Sequence, residues 1–429
     1  MDSNTQEYVD IPLRLKTKES IFGRLQNINF ISRCVIDSIF NYYWHGPTTT
    51  SQNLRFHIIK NVLQKYLAES LPHDLPNELS EKIDFEYISE YIAMNNPPSR
   101  MLTSDVGQNR EFDICVDPEI ITRYSLERYG LSGDKLVAMA EEDLGYAKNG
   151  QARTISCQIV IGANITRENS DTSSLLSPDP LNPNEKVILF FHGGAYCVGE
   201  RSLTHLYVYA NVSSTTGLRV FSPNYRLAPK YCFPSQLHDC LLAYNTMLSL
   251  GFKPENIIIS GDSAGGSLAV SLVLILKEMS MPFPAGLVLL SPWVDSTCSG
   301  ASWNTNQKLD YLPTLSFEDP FHPTRMFYAA GRRFDKTMFE ELKCPLISPV
   351  FGDLAGMPSM LIQLGNNELL RDDICGFSEK VKQQNSDEPN LVKLEVYPDM
   401  PHVFVLLHFA PAAQMAFASI GKFVKSIWK

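Results

Sequence analysis

A buried apolar run that ends in a glycine-flanked serine constrains this chain more than any other feature. Residues 257–259 are three isoleucines, Gly261-Asp-Ser263-Ala-Gly265 follows, and residues 268–277 repeat apolar side chains at helical spacing. The pattern predicts a strand that turns sharply into a helix and holds the Ser263 hydroxyl above the sheet. At that position a base and a carbonyl carbon can both reach the hydroxyl, which is a poor nucleophile unaided.

The chain around this turn alternates between strand and helix patterns. Predicted strands lie at 154–161, 187–191, 218–222, 257–259, 286–290, 360–364 and 391–397. Predicted helices lie at about 203–213, 237–250, 263–278, 373–384 and 410–428. Such alternation predicts an α/β fold with a mostly parallel central sheet flanked by helices.

Two regions depart from this alternation. Residues 1–150 are mainly helical or irregular in pattern, and we expect them to form an amino-terminal cap; the alternative is that they only pack against the core. Residues 295–345 are rich in aromatic side chains and are predicted to be a cap insertion beside the site. The predicted domains are therefore 1–150, a helical cap region, and 151–429, a catalytic domain.

The charge balance and the cysteines indicate which binding partners and which cellular compartment to expect. The chain has 37 basic and 47 acidic residues, a net charge of −10, which argues against nucleic acid and anionic membranes as partners. Its nine cysteines occur singly, as expected of thiols in a reducing compartment. The polar amino terminus lacks a signal-peptide pattern, and no apolar run is long enough to span a bilayer. We expect a cytoplasmic protein, with peripheral association with the endoplasmic reticulum or lipid droplets as the alternative.

A glycine pair follows the predicted strand 187–191, in the run His192-Gly193-Gly194-Ala195. Backbone N–H groups in such a loop lie at the carboxyl edge of the sheet, where open α/β folds bind ligands. Acyl transfer places negative charge on a carbonyl oxygen, and N–H donors aimed at it form an oxyanion hole. We predict these donors to be Gly193 and Gly194, together with Ala264 after the serine.

A base and an acid must accompany the serine. His402, in a loop before the last helix, is the predicted general base, whereas His408 lies in an apolar run and is expected to be packed. Three carboxylates follow the strand 360–364. Glu368 comes first and is the predicted acid, while Asp372 and Asp373 fit the first turn of the next helix, where carboxylates are favoured.

Six motifs in this order resemble the hormone-sensitive-lipase family of α/β-hydrolases. They are His192-Gly-Gly-Ala195, Tyr225-Arg-Leu-Ala-Pro229, Gly261-Asp-Ser-Ala-Gly-Gly266, Ser291-Pro-Trp293, Glu368-Leu-Leu-Arg-Asp372 and Met400-Pro-His402. The resemblance covers about residues 155–429. It implies a triad of Ser263, Glu368 and His402, with Ala195 where the family usually has a third glycine and Glu368 where it usually has aspartate. The amino-terminal third resembles fungal members, among them steryl acetate deacetylases.

The residues and the resemblance together predict a serine carboxylesterase that cleaves short acyl or acetyl esters through an acyl-enzyme. The expected partner is a small, hydrophobic ester. No metal or organic cofactor is needed, because the protein supplies nucleophile, base and oxyanion donors. Deacetylation of sterols or other bulky alcohols is one alternative, and a non-catalytic ligand-binding protein on the same scaffold is another. Amide hydrolysis and the oligomeric state remain open.

Overall fold

The computed structural model describes residues 21–45, 53–69, 108–115, 153–168, 172–199, 203–319, 322–329, 335–407 and 409–429. The chain divides into two units, Met1–Tyr66 and Leu67–Lys429. Of the alternatives considered above, His408 and most of the predicted amino-terminal cap lie outside the described residues. The assignment of 1–150 as a cap region and of 295–345 as a cap insertion therefore stays a prediction.

The first unit contains α1 (Ile21–His45) and most of α2 (Leu54–Glu69). Both helices match the apolar spacing of their sequences. Lys65 Nζ of α2 lies 3.0 Å from Asp37 Oδ2 of α1, while Cys34 and Phe56 are buried. In the described parts of the chain, no helix has both the length and the apolar character needed to cross a bilayer.

Eight strands form one sheet in the described part of the second unit. They are β1 (Gln108–Cys115), β2 (Thr154–Ile161), β3 (Val187–Phe191), β4 (Arg219–Pro223), β5 (Ile257–Asp262), β6 (Gly286–Leu290), β7 (Met360–Gly365) and β8 (Val392–Tyr397). Their order is β1-β2-β4-β3-β5-β6-β7-β8. β1 pairs with β2, and β2 with β4, in antiparallel fashion, while all pairs from β4 to β8 are parallel. The predicted α/β fold with a mostly parallel sheet is confirmed.

Helices connect these strands. The described α-helices of the second unit are α3 (Ala163–Glu168), α4 (Thr172–Leu175), α5 (Leu203–Thr216), α6 (Ser235–Ser249), α7 (Ala264–Glu278), α8 (Ser302–Thr305), α9 (Lys336–Glu341), α10 (Arg371–Gln384) and α11 (Pro411–Ile427). Short 3₁₀ turns lie at Pro254–Asn256, Pro349–Phe351 and Phe404–Leu406, and a π-helical turn lies at Arg325–Ala329. Helices flank the sheet as the alternating pattern predicts.

Among the strands, β1 is the one that the sequence did not predict. Its residues are mostly polar and exposed, so they lack the apolar alternation that indicates a half-buried strand. β1 is instead held by pairing along its whole length with β2 and by the ring of Phe112, which meets that of Phe221 edge-on at 6.2 Å. The hydropathy pattern of the sequence therefore does not predict an edge strand that is stabilised in this way.

The central strands β3, β5 and β6 are buried along their whole length, as expected for parallel strands with helices on both faces. Because these strands and β7 run in the same direction, their carboxyl ends meet at one edge of the sheet. The strand β8 runs parallel to β7, and the loops that follow β3, β5, β7 and β8 carry the candidate residues, so the topology gathers them at this edge.

Candidate active site

Ser263 lies between β5 and α7, in the sharp turn that the glycine pattern predicts. Its backbone has φ 50° and ψ −119°, a conformation that non-glycine residues rarely adopt. The Ser263 N–H donates to Leu290 O at 2.9 Å, and the Ser263 carbonyl accepts from the N–H of Trp293 at 2.9 Å. Two backbone hydrogen bonds, one to the end of β6 and one to the segment after it, therefore hold the turn in this conformation.

Close packing behind the turn explains its glycines. A Cβ on Gly265 would lie 2.5 Å from His192 O and 2.6 Å from Phe191 C, far inside van der Waals contact. The start of α7 thus passes directly against the end of β3, which brings the loop after β3 next to Ser263. Only glycine permits this approach.

The structure brings together the three side chains of the predicted triad. His402 Nε2 lies 2.9 Å from Ser263 Oγ, and His402 Nδ1 lies 3.3 Å from Glu368 Oε2. Glu368 is 0% exposed and His402 is 3% exposed, so their interaction is shielded from solvent. Serine, histidine and acid form one hydrogen-bonded row.

The two alternative carboxylates have other partners. Asp372 accepts from the Arg371 guanidinium at 2.8 Å, and Asp373 accepts from Trp303 Nε1–H at 2.6 Å. Both lie in the first turn of α10, as their position after Glu368 predicts. Of the three carboxylates after β7, Glu368 is the one hydrogen-bonded to His402.

The acid and the base influence each other's ionisation. Burial raises the pKa of Glu368, and its hydrogen bond to His402 opposes that shift. Burial alone would lower the pKa of His402, but the carboxylates of Glu368, Asp310 and Asp262 overcome it and raise the pKa above its ordinary value. His402 is therefore a stronger base than a free imidazole.

The loop after β3 requires a correction to the predicted oxyanion donors. The Gly193 N–H points inward and donates to Asp262 Oδ1 at 2.9 Å, so this amide already has a strong acceptor. Gly194 and Ala195 follow with φ 109° and 54°, and in the described structure neither N–H has a hydrogen-bond acceptor. Ala264 is the first residue of α7, where an N–H has no intrahelical partner.

Three residues that sequence reasoning did not single out stabilise this loop. Tyr225 Oη–H donates to His192 O at 2.6 Å, and the two rings stack with centroids 4.1 Å apart. His205 Nε2 lies 3.3 Å from Asp262 Oδ2. Burial alone would raise the pKa of Asp262, but His205, His192 and the Gly193 N–H together hold it below its usual range. The carboxylate stays ionised and anchors the loop.

His192 itself has a structural role. Burial is the main cause that lowers its pKa to about 4, so the ring is neutral near pH 7. Its Nδ1 lies 2.7 Å from the Gly193 carbonyl oxygen, which makes Nδ1 the protonated nitrogen. Of the three residues that stabilise the loop, Tyr225 and Asp262 lie within motifs, whereas no sequence pattern marks His205.

A fourth carboxylate, Asp310, lies beside the triad and was also missed. Its Oδ1 accepts the backbone N–H of His402 at 3.1 Å. Asp310 comes from the aromatic-rich segment 295–345, whose sequence has no motif at this position. The contact places Asp310 against the backbone of His402, while the role of the whole segment as a cap stays a prediction.

The chain is similar to several known proteins. Residues 188–406 match the α/β-hydrolase fold family. An esterase of Acinetobacter venetianus is 35% identical over 243 residues, which cover 56% of this chain and 75% of that protein. An acetyl-hydrolase of Streptomyces hygroscopicus is 31% identical over 248 residues, 58% of this chain and 78% of that protein.

A solved structure gives the same assignment at the level of the fold. The structure of a hormone-sensitive lipase from a metagenome library has a TM-score of 0.51 and 32% identity to this chain. It matches 64% of this chain and 82% of its own. This match, the six motifs and the sheet order described above all indicate the same family. The chain belongs to the hormone-sensitive-lipase family of α/β-hydrolases.

Proposed function

We propose that this protein is a serine carboxylesterase that hydrolyses short acyl esters through an acyl-enzyme on Ser263. The observation that carries the proposal is the hydrogen-bonded row in which His402 lies 2.9 Å from Ser263 Oγ and faces the buried Glu368. A serine hydroxyl is activated when a neutral imidazole accepts its proton, and a buried carboxylate stabilises the imidazolium that forms.

In the first half-reaction, Ser263 Oγ attacks the ester carbonyl while His402 Nε2 takes the hydroxyl proton. Glu368 accepts the Nδ1–H of His402 and keeps the ring in the required tautomer. The tetrahedral intermediate collapses when the imidazolium gives its proton to the alkoxide, which leaves as the alcohol. The acyl group then remains bonded to Ser263 Oγ.

The negative charge of the intermediate needs N–H donors. We assign this role to Gly194, Ala195 and Ala264, since the Gly193 amide is bonded to Asp262. Successive amides in a left-handed turn form a concave site for an anion, and a helix start adds a favourable dipole. Water activated by His402 then attacks the acyl carbon, and the acid leaves.

Buried aromatic side chains next to Ser263 support a short acyl group. The Trp293 N–H donates to the Ser263 carbonyl, and the Trp293 ring lies 5.7 Å from the ring of Tyr196. Tyr196 in turn stacks on Phe327 at 3.7 Å. All three of these side chains are buried. We infer a short acyl group from this close packing, and the name of one relative, an acetyl-hydrolase, agrees with it.

The alternatives have less support. A non-catalytic ligand-binding protein would not need Ser263, His402 and Glu368 in one hydrogen-bonded row. Binding of a sterol or another bulky alcohol was expected to use the amino-terminal third, most of which lies outside the described residues. The choice of alcohol and the cytoplasmic location stay predictions.

The test is hydrolysis of p-nitrophenyl esters from acetate to decanoate by the wild type and by Ser263→Ala. We expect turnover of the shortest esters and a loss of at least about a thousandfold in Ser263→Ala. Ser271→Ala is the matched control, because Ser271 is buried in α7, the helix that follows Ser263, and its hydroxyl has no hydrogen-bond partner in the described structure. If the wild type hydrolyses none of these esters, the ligand-binding alternative replaces the esterase.

A further inference from the structure

A buried carboxylate outside the triad connects the loop of the acid to the loop of the base. Asp310 Oδ2 accepts the backbone N–H of Leu369, the residue after Glu368, at 2.8 Å. Asp310 Oδ1 accepts the backbone N–H of His402 at 3.1 Å and that of Tyr311 at 2.7 Å. Asp310 is 0% exposed, so no solvent competes for these bonds. One carboxylate thus spans two loops that are over 30 residues apart in sequence.

The same segment holds the acid loop at further points. Asn306 Nδ2 donates to Glu368 O at 2.9 Å and to Asn366 O at 3.2 Å. Ser302 Oγ donates to Leu369 O at 2.6 Å. The segment 302–310 therefore binds both the carbonyl groups and an amide of the loop that carries Glu368. We call this segment the clamp.

The chemistry of these contacts requires a carboxylate at position 310. All three partners of Asp310 are N–H donors, and both of its oxygens accept. An asparagine has one accepting oxygen and would place its NH₂ group against a donor. Burial raises the pKa of Asp310 above its usual range, and the charge of His402 and the three N–H groups limit that rise. Charge-assisted bonds of this kind are stronger and geometrically more demanding than neutral ones.

The position of these bonds links them to catalysis. The distance between His402 Nδ1 and Glu368 Oε2 depends on where the two backbones lie, and Asp310 bonds to both of them next to those side chains. We propose that Asp310 is a positioning residue: it fixes Glu368 relative to His402 and favours the imidazolium through its charge. This proposal rests on the esterase function proposed above.

The test compares Asp310→Asn with the wild type in ester hydrolysis, with rates normalised to active sites counted by stoichiometric phosphonylation of Ser263. We expect kcat to fall about 10- to 100-fold, as small misplacements of catalytic groups do, with KM changed less than about twofold. The acidic limb of the pH–rate profile is expected to move to lower pH, because one of the carboxylates around His402, which are Glu368, Asp310 and Asp262, has lost its charge.

Asp295→Asn is the matched control. Asp295 is 2% exposed and also accepts three hydrogen bonds, from Thr297 N–H, Thr297 Oγ1–H and Ser299 Oγ–H. None of these partners belongs to the triad, so this variant should lose stability but keep its kcat and pH profile. If Asp310→Asn behaves in the same way per active site, Asp310 is merely structural and the proposal is overturned.

A readout without turnover separates this proposal from the esterase function. The imidazole of His402 can be titrated by NMR in protein labelled with ¹⁵N-histidine, with its signals assigned by their loss in His402→Gln. We expect the titration midpoint to fall in Asp310→Asn even if no ester is hydrolysed. An unmoved midpoint would overturn the proposal, whereas inactivity of the wild type alone would overturn only the esterase.

A second variant decides the matter if Asp310→Asn does not fold. Asn306→Ala removes a neutral donor of the clamp and leaves the charge of Asp310 in place. We expect kcat to fall about 10-fold with an unchanged pH profile, because the acid loop loses its position but His402 keeps its charged neighbours. Wild-type kcat in Asn306→Ala would show that the clamp does not position Glu368.

Discussion

Replacing Gly265 by alanine should destabilise the protein, although the same substitution usually stabilises a helix. Gly265 lies in the first turn of α7, where alanine would normally add about 1 kcal/mol of stability. Here the new methyl would lie 2.5 Å from His192 O and 2.6 Å from Phe191 C, both backbone atoms at the end of β3. These atoms, and Phe191 O, which lies closer still, cannot rotate away, so strand and helix must move apart by more than about 1 Å to restore ordinary van der Waals contact.

Overpacking against backbone on this scale costs about 3 kcal/mol or more. It should also reduce activity, because the movement separates Ser263 from the amides of Gly194 and Ala195, which belong to the loop after β3. Loss of about 10²-fold in kcat is expected from a shift of about 1 Å. Urea denaturation measures the first effect, and hydrolysis of a short p-nitrophenyl ester measures the second.

Gly376→Ala is the matched control. Gly376 is an exposed helical glycine of α10, and nothing lies within 4 Å of a Cβ placed there. This variant should gain about 0.5–1 kcal/mol and keep full activity. The reasoning would be refuted if Gly265→Ala were as stable and as active as the wild type, since the close approach of α7 to β3 would then not exist.

Two further outcomes are expected. First, kcat/KM should rise with pH through one ionisation, because protonated His402 cannot accept the serine proton. The midpoint should lie above the ordinary histidine pKa of about 6.5, because nearby carboxylates raise the pKa of His402. A rate that stays flat from about pH 5 to 9 would contradict this. Second, Glu185→Gln should lower the free energy of unfolding, measured by urea denaturation, by about 3 kcal/mol without changing kcat. The substitution removes the counter-charge of the buried Arg219 guanidinium, whose nitrogens lie 2.7 Å from both Glu185 oxygens. Unchanged stability would show that the backbone carbonyls around Arg219 suffice.

Local patterns in the sequence were enough to predict most strands of the sheet and to identify the triad candidates. The isoleucines of β5 and the glycines after them indicate a strand, a turn and a helix because each depends on neighbours only a few residues away. Glu368 was distinguished from Asp372 and Asp373 by its place just after β7, and the structure brings Glu368 to His402. Its catalytic role remains a proposal.

The tertiary structure decided what depends on distant contacts. The Gly193 amide was a reasonable oxyanion donor by its place in the loop, but Asp262, 69 residues later, accepts its hydrogen. The strand β1 is polar, and only pairing with β2 marks it as part of the sheet.

Asp310 shows the same division most clearly. No motif surrounds it, and the function of its carboxylate arises from two amides, 59 and 92 residues further along the chain, that the fold brings within 3.1 Å. Hydropathy and turn propensity are properties of a short stretch, so the sequence by itself determined the strands from β2 to β8, the sharp turn at Ser263 and the order of the motifs. Hydrogen bonds between loops depend on how the whole chain closes, so only the tertiary structure decided which amides and carboxylates serve the site.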